Sequence, residues 1–132
     1  MVGIDTNILL RAVLDDDPVQ SPKAHAFLAA LTLGDPGYIT LPVAMEFYWV
    51  LVTRYRVPSS VIASLFSQLF AAATIEFANL DSLVEALYRS TTQNADFADA
   101  VIAGLAWRAG CVATMTFDKR AASRLPTMEL LA

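Results

Sequence analysis

The chain has 132 residues, 56% of them apolar and 17% charged, with a formal net charge of −4. This length suits a single domain, residues 1–132, with a well-filled core and apolar surface left over for a partner. The lone cysteine, Cys111, excludes an internal disulfide framework and a cysteine-based zinc site, and the acidic balance argues against a broad basic face for nucleic acid.

Short apolar runs alternate with helical patterns along the chain. Val2 to Asp5 reads as a strand, and Thr6 to Leu14 as a helix that Asp15-Asp16-Asp17-Pro18 breaks. Ser21-Pro22 looks like a cap with proline at the first helical position, starting a helix from Pro22 to Leu31. Gly34-Asp35-Pro36-Gly37 is a turn signal. Tyr38 to Thr40 follows as a strand, then an apolar helix from Pro42 to Tyr55. Another helix starts at Pro58 and runs to about Ala73, before a strand from Thr74 to Ala78. Asn79 is placed to cap a helix from Leu80 to Thr91. The next helix covers Asp96 to Ala109 and Gly110 ends it. Cys111 to Thr116 and Met128 to Leu131 read as strands, the first placing Cys111 in a buried position. Strands alternating with helices imply an α/β fold: a short, mostly parallel central sheet flanked by helices. Polar sites in such sheets lie beyond the carboxyl ends of the strands.

No apolar run reaches the roughly 20 residues that a membrane-spanning helix needs. Val61 to Ala78 comes closest, but Ser64, Ser67, Gln68, Thr74 and Glu76 interrupt it. The amino terminus lacks the basic region of a signal peptide, and Asp5 breaks its apolar run. These features predict a cytoplasmic protein with no membrane partner.

Acids stand where apolar residues surround them. Asp5 ends the first strand. Glu46 is the only charge in Leu41 to Val52, where no ordinary solvated face is expected for it. Asp96 and Asp99 open the Asp96–Ala109 helix, three residues apart and so on one face. Asp118 follows the fourth strand. An ionised carboxylate in apolar surroundings is costly unless paired or bound to metal. Of nine Lys and Arg residues, only Arg54, Lys119 and Arg120 lie near these acids in sequence. Oxygen ligands without cysteine fit Mg²⁺ or Mn²⁺ rather than zinc. Helix chemistry offers a competing role: Asp5, Asp96 and Asp118 can serve as N-caps, and Asp99 can favour the helix dipole. Thr6, Asn7 and Thr116 add neutral oxygens that can orient ligands or waters, or serve in turns and caps. His25 reads as structural or solvated. Phe47, Tyr48 and Trp49 read as core or interface, because helical spacing spreads them around the helix.

The ordered set Ile4-Asp5-Thr6-Asn7-Ile8-Leu9, Glu46, Asp96-Phe97-Ala98-Asp99-Ala100 and Thr116-Phe117-Asp118-Lys119 resembles the PIN-domain family, specifically the VapC-type toxins of toxin–antitoxin pairs. Each segment is a weak signal by itself; their order across nearly the whole chain carries the resemblance. It implies a Mg²⁺- or Mn²⁺-dependent endoribonuclease that leaves 5′-phosphate and 3′-hydroxyl ends. It further implies a homodimer and a cognate antitoxin. By position, Asp5, Glu46, Asp99 and Asp118 take the catalytic and metal-binding roles, with Asn7, Asp96 and Thr116 in support. One rival reading is a catalytically silent PIN-like module that only holds RNA or a partner. A second is a phosphate-handling domain such as a receiver or an aspartate-based phosphatase. The phosphatase type wants a second aspartate two residues after the first, where Asn7 stands.

Overall fold

Seven helices and five strands alternate along the chain, and every strand pairing is parallel. The computed structural model describes residues 1–132 and divides them into two units, Met1–Ala78 and Asn79–Ala132.

The first unit runs β1 (Val2–Gly3), α1 (Thr6–Leu14), α2 (Gln20–Ala29), β2 (Gly37–Ile39), α3 (Leu41–Thr53), α4 (Ser59–Ala71) and β3 (Ile75–Phe77). Its sheet has the order β1-β2-β3, with Val2 opposite Gly37 and Tyr38 opposite Glu76. Gly37 makes room for its neighbours: a Cβ there would come within 2.5 Å of Ile4 Cδ1 and 3.0 Å of Leu31 Cδ1, and those side chains would have to shift. That contact lets buried Ile4 fill the space over β2 just before the chain reaches Asp5. The core is aromatic and aliphatic. Phe47, Leu51, Ile62 and Phe66 are fully buried. Phe66 packs edge-on to Phe47 at 5.5 Å and tilted against Phe70 at 5.7 Å, and Phe70 meets Phe77 at 4.8 Å. These separations favour the ring quadrupoles.

The second unit runs α5 (Leu80–Thr92), α6 (Phe97–Arg108), β4 (Thr114–Thr116), α7 (Lys119–Arg124) and β5 (Met128–Leu130), with β4 and β5 paired. Its α5 packs on α6, burying Leu83, Ala86 and Leu87 on one side and Ala100, Val101 and Ala103 on the other. The turn after α6 is a Schellman motif. Gly110 has φ +98°, its N–H donates to the Trp107 carbonyl, and the Cys111 N–H donates to the Ala106 carbonyl.

The bounds of α1 are those expected from the sequence. Helix α2 starts two residues early because Asp17, not Ser21, accepts its first amides: Asp17 Oδ1 takes N–H groups from Val19 at 2.9 Å and Gln20 at 2.7 Å. Asn79 stands at the start of α5 with φ +56° but makes no capping bond with its side chain. The fourth strand is shorter than expected, since the Schellman turn occupies its first residues; Cys111 is therefore exposed, not buried. The short α7 is the helix that a capping role for Asp118 implies, although the pattern along the chain does not delimit it. No helix is long and apolar enough to cross a membrane.

Candidate metal centre

Three of the candidate acids are helix N-caps. Asp5 has extended backbone, and its Oδ1 accepts from Thr6 N at 2.8 Å. Asp96 Oδ1 accepts from Asp99 N at 2.9 Å at the start of α6. Asp118 Oδ1 accepts from Ala121 N at 3.0 Å at the start of α7. Each side chain satisfies an amide that the helix leaves without a partner. A carboxylate held by one oxygen keeps its other oxygen as an acceptor. The capping role and a ligand role are thus compatible in one residue.

In the first unit, Asp5 follows β1 and α3, which carries Glu46, follows β2. Both acids therefore belong to the carboxyl ends of adjacent parallel strands, where α/β sites form. Asp5, Asn7 and Glu46 are exposed. For Glu46 this corrects the expectation that its helix has no solvated face: Trp49 and Val52 of the same helix are exposed as well, so α3 presents a mixed face. Beside Asp5, the Thr6 hydroxyl is buried without a hydrogen-bond partner. An orphaned buried hydroxyl costs about 1–3 kcal/mol, which a water or a hydrated ion held at Asp5 would relieve.

In the second unit, Asp96 and Asp118 act on Asp99. Asp99 is half-buried in the first turn of α6. Burial, and then the charges of Asp96 and Asp118, push its carboxyl above the ordinary value. Thr116 supports this group, its Oγ1 accepting from the Asp118 N–H at 3.0 Å. None of Asp5, Glu46, Asp96, Asp99 and Asp118 is in an ion pair. The pairs form instead at Asp35 with the amino terminus, Asp16 with Arg11, Asp15 with His25, and Glu85 with Arg89 and Arg108.

The chemistry of these donors fits a hard divalent cation. They are all oxygen, like charge acts on Asp99 in the second unit, and no protein cation pairs with them. No group of three or more His, Cys, Asp or Glu side chains is placed to hold a metal ion. Sequence reasoning named each of these acids but missed that Asp17 caps α2. The signal was available: Asp17 precedes Gln20 by three residues, the spacing of a cap and its amide.

A family model described as PIN domain matches residues 2–126. No curated protein matches the sequence. Among solved structures, a chain of a toxin-antitoxin complex from Klebsiella pneumoniae is 18% identical; the alignment covers 97% of this chain and 94% of that one, with a TM-score of 0.34. The family match reaches from β1 into the residues after α7 and takes in every candidate acid, and the chain belongs to the PIN domain family.

Proposed function

We propose that the protein is a Mg²⁺- or Mn²⁺-dependent endoribonuclease, the toxin of a toxin–antitoxin pair. The observation that carries the reading is Asp99, half-buried at the start of α6, in no ion pair and with the charges of Asp96 and Asp118 acting on it, in a chain of the PIN domain family. By the VapC-type resemblance alone, Asp5, Glu46, Asp99 and Asp118 take the metal-binding roles. When bound, a divalent cation lowers the pKa of coordinated water and offsets charge on a phosphodiester. The protein's own contribution is placement. Helix α1 fixes Asp5 and α7 fixes Asp118 through the capping bonds. Asp96 ties down the first turn of α6, which carries Asp99. Asn7 and Thr116 support the acids beside them. Asp99, half-buried and crowded by like charge, is the side chain whose ionisation most needs the cation, and it couples metal affinity to pH.

The VapC-type resemblance supports three further parts of this reading. The first is an antitoxin that covers the acids with an Arg or Lys. The others are a homodimer and action on RNA in the cytoplasm. The exposed Trp49, Val52, Val84 and Tyr88 are apolar surface that such partners would cover. The experiment is incubation of the purified protein with total RNA, with and without Mg²⁺ or Mn²⁺, and mapping of the new ends. Metal-dependent ends bearing 5′-phosphates are the expected result. RNA retained but never cut would establish a silent binding module in place of a nuclease.

A further inference from the structure

The second unit contains a pocket of about 250 Å³ that lies outside the acid cluster. Glu85 and Arg89 of α5 line one wall, Gly104 and Trp107 of α6 another, and the segment after α7 closes it. This volume falls short of the roughly 300–1,000 Å³ of a typical ligand pocket. It suits one flat group rather than a whole small molecule.

Three features specify that group. The first is charge. Glu85 Oε1 accepts from Arg89 Nε and Nη2 at 3.2 and 3.1 Å, and Glu85 Oε2 accepts from Arg108 Nη2 at 3.3 Å. One carboxylate thus orders two guanidiniums and leaves a single positive charge in excess, in a chain whose net charge is −4. Arg89 lies in the lining and Arg108 reaches it through Glu85, so this edge of the pocket carries more positive than negative charge. The second is Trp107, which lines the pocket yet is 59% exposed. A large aromatic ring left in water beside a cavity offers a stacking face.

The third is Gly104. It stands mid-helix, with helical backbone that any residue adopts, where glycine weakens the helix. Packing does not require it: an added Cβ would meet only Glu85 Oε2, at an ordinary 3.9 Å. What the missing methyl does is keep the pocket open between α5 and α6.

We infer that this pocket is a nucleotide subsite for single-stranded RNA, with an unpaired base stacked on Trp107 over the floor at Gly104 and its phosphate on Arg89 and Arg108. The inference rests on the nuclease reading only for the identity of the strand. Trp107 lies eight residues from Asp99 on the same helix, about 12 Å along its axis. The subsite therefore reads a nucleotide near the acids and not the phosphate at them.

The test uses the full chain and short labelled homopolymer oligoribonucleotides, with binding followed by fluorescence anisotropy with and without Mg²⁺. Trp107→Ala should weaken binding roughly tenfold, the loss of one base stack, and Trp107→Phe should restore most of it. Gly104→Ala should weaken binding while raising the melting temperature, a pairing that a purely structural glycine would not produce. Mapped RNA ends should also lose base preference at one position in Trp107→Ala. Unchanged affinity in both folded variants overturns the subsite, as does a wild-type protein that binds no RNA in either buffer. Loss of binding to a protein partner alone, with RNA binding intact, assigns the pocket to that partner and overturns it too. The two readings separate cleanly. Trp107-dependent binding without cleavage removes the nuclease and keeps the subsite, whereas cleavage with unaltered base preference removes only the subsite.

Discussion

The two units carry their acids under different conditions. In residues 1–78, Asp5 and Glu46 are exposed, and an edge-packed set of phenylalanines fills the core. In residues 79–132, α5 and α6 meet through alanine, valine and leucine, Phe97 and Met128 are buried as well, and Asp99 is half-buried with the charges of Asp96 and Asp118 acting on it. The carboxyl pushed above its ordinary value thus lies in the second unit. A half-buried carboxylate crowded by like charge costs stability, and a bound cation would offset that cost.

The sharpest way to break this contrast is Asp99→Asn. The substitution keeps shape and removes one of three repelling charges. Cleavage should fall by more than the roughly 10–100-fold that losing an outer-shell partner of a metal typically costs. Stability of the metal-free protein should move the other way. Asp99 has a raised carboxyl pKa in the folded state. The folded protein therefore holds the Asp99 proton more tightly than the unfolded chain does. Stability is lost as pH rises from the ordinary aspartate value through the raised one, and Asn removes that loss. Melting curves in EDTA should show the variant ahead at neutral pH and level with wild type in acid. A variant less stable at neutral pH would mean that Asp99 is held by a favourable contact and not by repulsion.

Phe66→Ala probes the other unit. Phe66 is fully buried against Phe47 and Phe70. Truncating a buried phenylalanine costs about 3–5 kcal/mol, through lost transfer energy and the cavity left behind. Denaturant unfolding measures it. A loss below about 1 kcal/mol would show that the aromatic cluster does not hold the first unit's core.

Much of this was legible in the sequence because periodicity and punctuation agree there. Helix α1 begins after Asp5 and ends at the Asp15–Asp17 break, and Gly110 marks the end of α6. What was not legible depended on competition among neighbours. The start of α2 had two candidate caps, and the hydrogen bonds of Asp17 decide it. Cys111 reads as a strand residue until the Schellman turn takes its amide. Helix α7 has six residues and no apolar stripe long enough to register as a period. The acids were legible as residues out of place. Their capping bonds were visible only as one of two roles, and three of them serve that role, at Asp5, Asp96 and Asp118.

Asp96→Asn refines the contrast inside the second unit. Asn caps a helix about as well as Asp, so the bond to Asp99 N is kept while one charge near Asp99 is lost. Cleavage should remain measurable, with a need for more Mg²⁺, in a time course run across a metal titration beside Asp99→Asn. If Asp96→Asn is inactive and Asp99→Asn is active, the roles of the two residues are exchanged.

The smallest effect lies in the first unit, at an aspartate with the opposite shift. The Gln20 and Val19 amides, which Asp17 Oδ1 accepts at 2.7 and 2.9 Å, hold its carboxyl below the ordinary value; Arg11 adds to this and burial opposes it. A depressed folded pKa contributes stability that is present above the ordinary aspartate value and is lost as pH falls through the folded one. Asp17→Asn keeps an acceptor oxygen for the two amides but loses the charge that strengthens those bonds. The variant should therefore trail wild type slightly at neutral pH, and the gap should close in acid. Because the group faces solvent, the change is expected in the first turn of α2 rather than in global unfolding. Hydrogen exchange at Val19 and Gln20 is the direct readout: faster exchange in Asp17→Asn at neutral pH, converging with wild type in acid once intrinsic rates are divided out. Equal protection at neutral pH would mean that the carboxylate charge adds nothing to this cap, and that the contrast between a relaxed first unit and a stressed second unit rests on Asp99 alone.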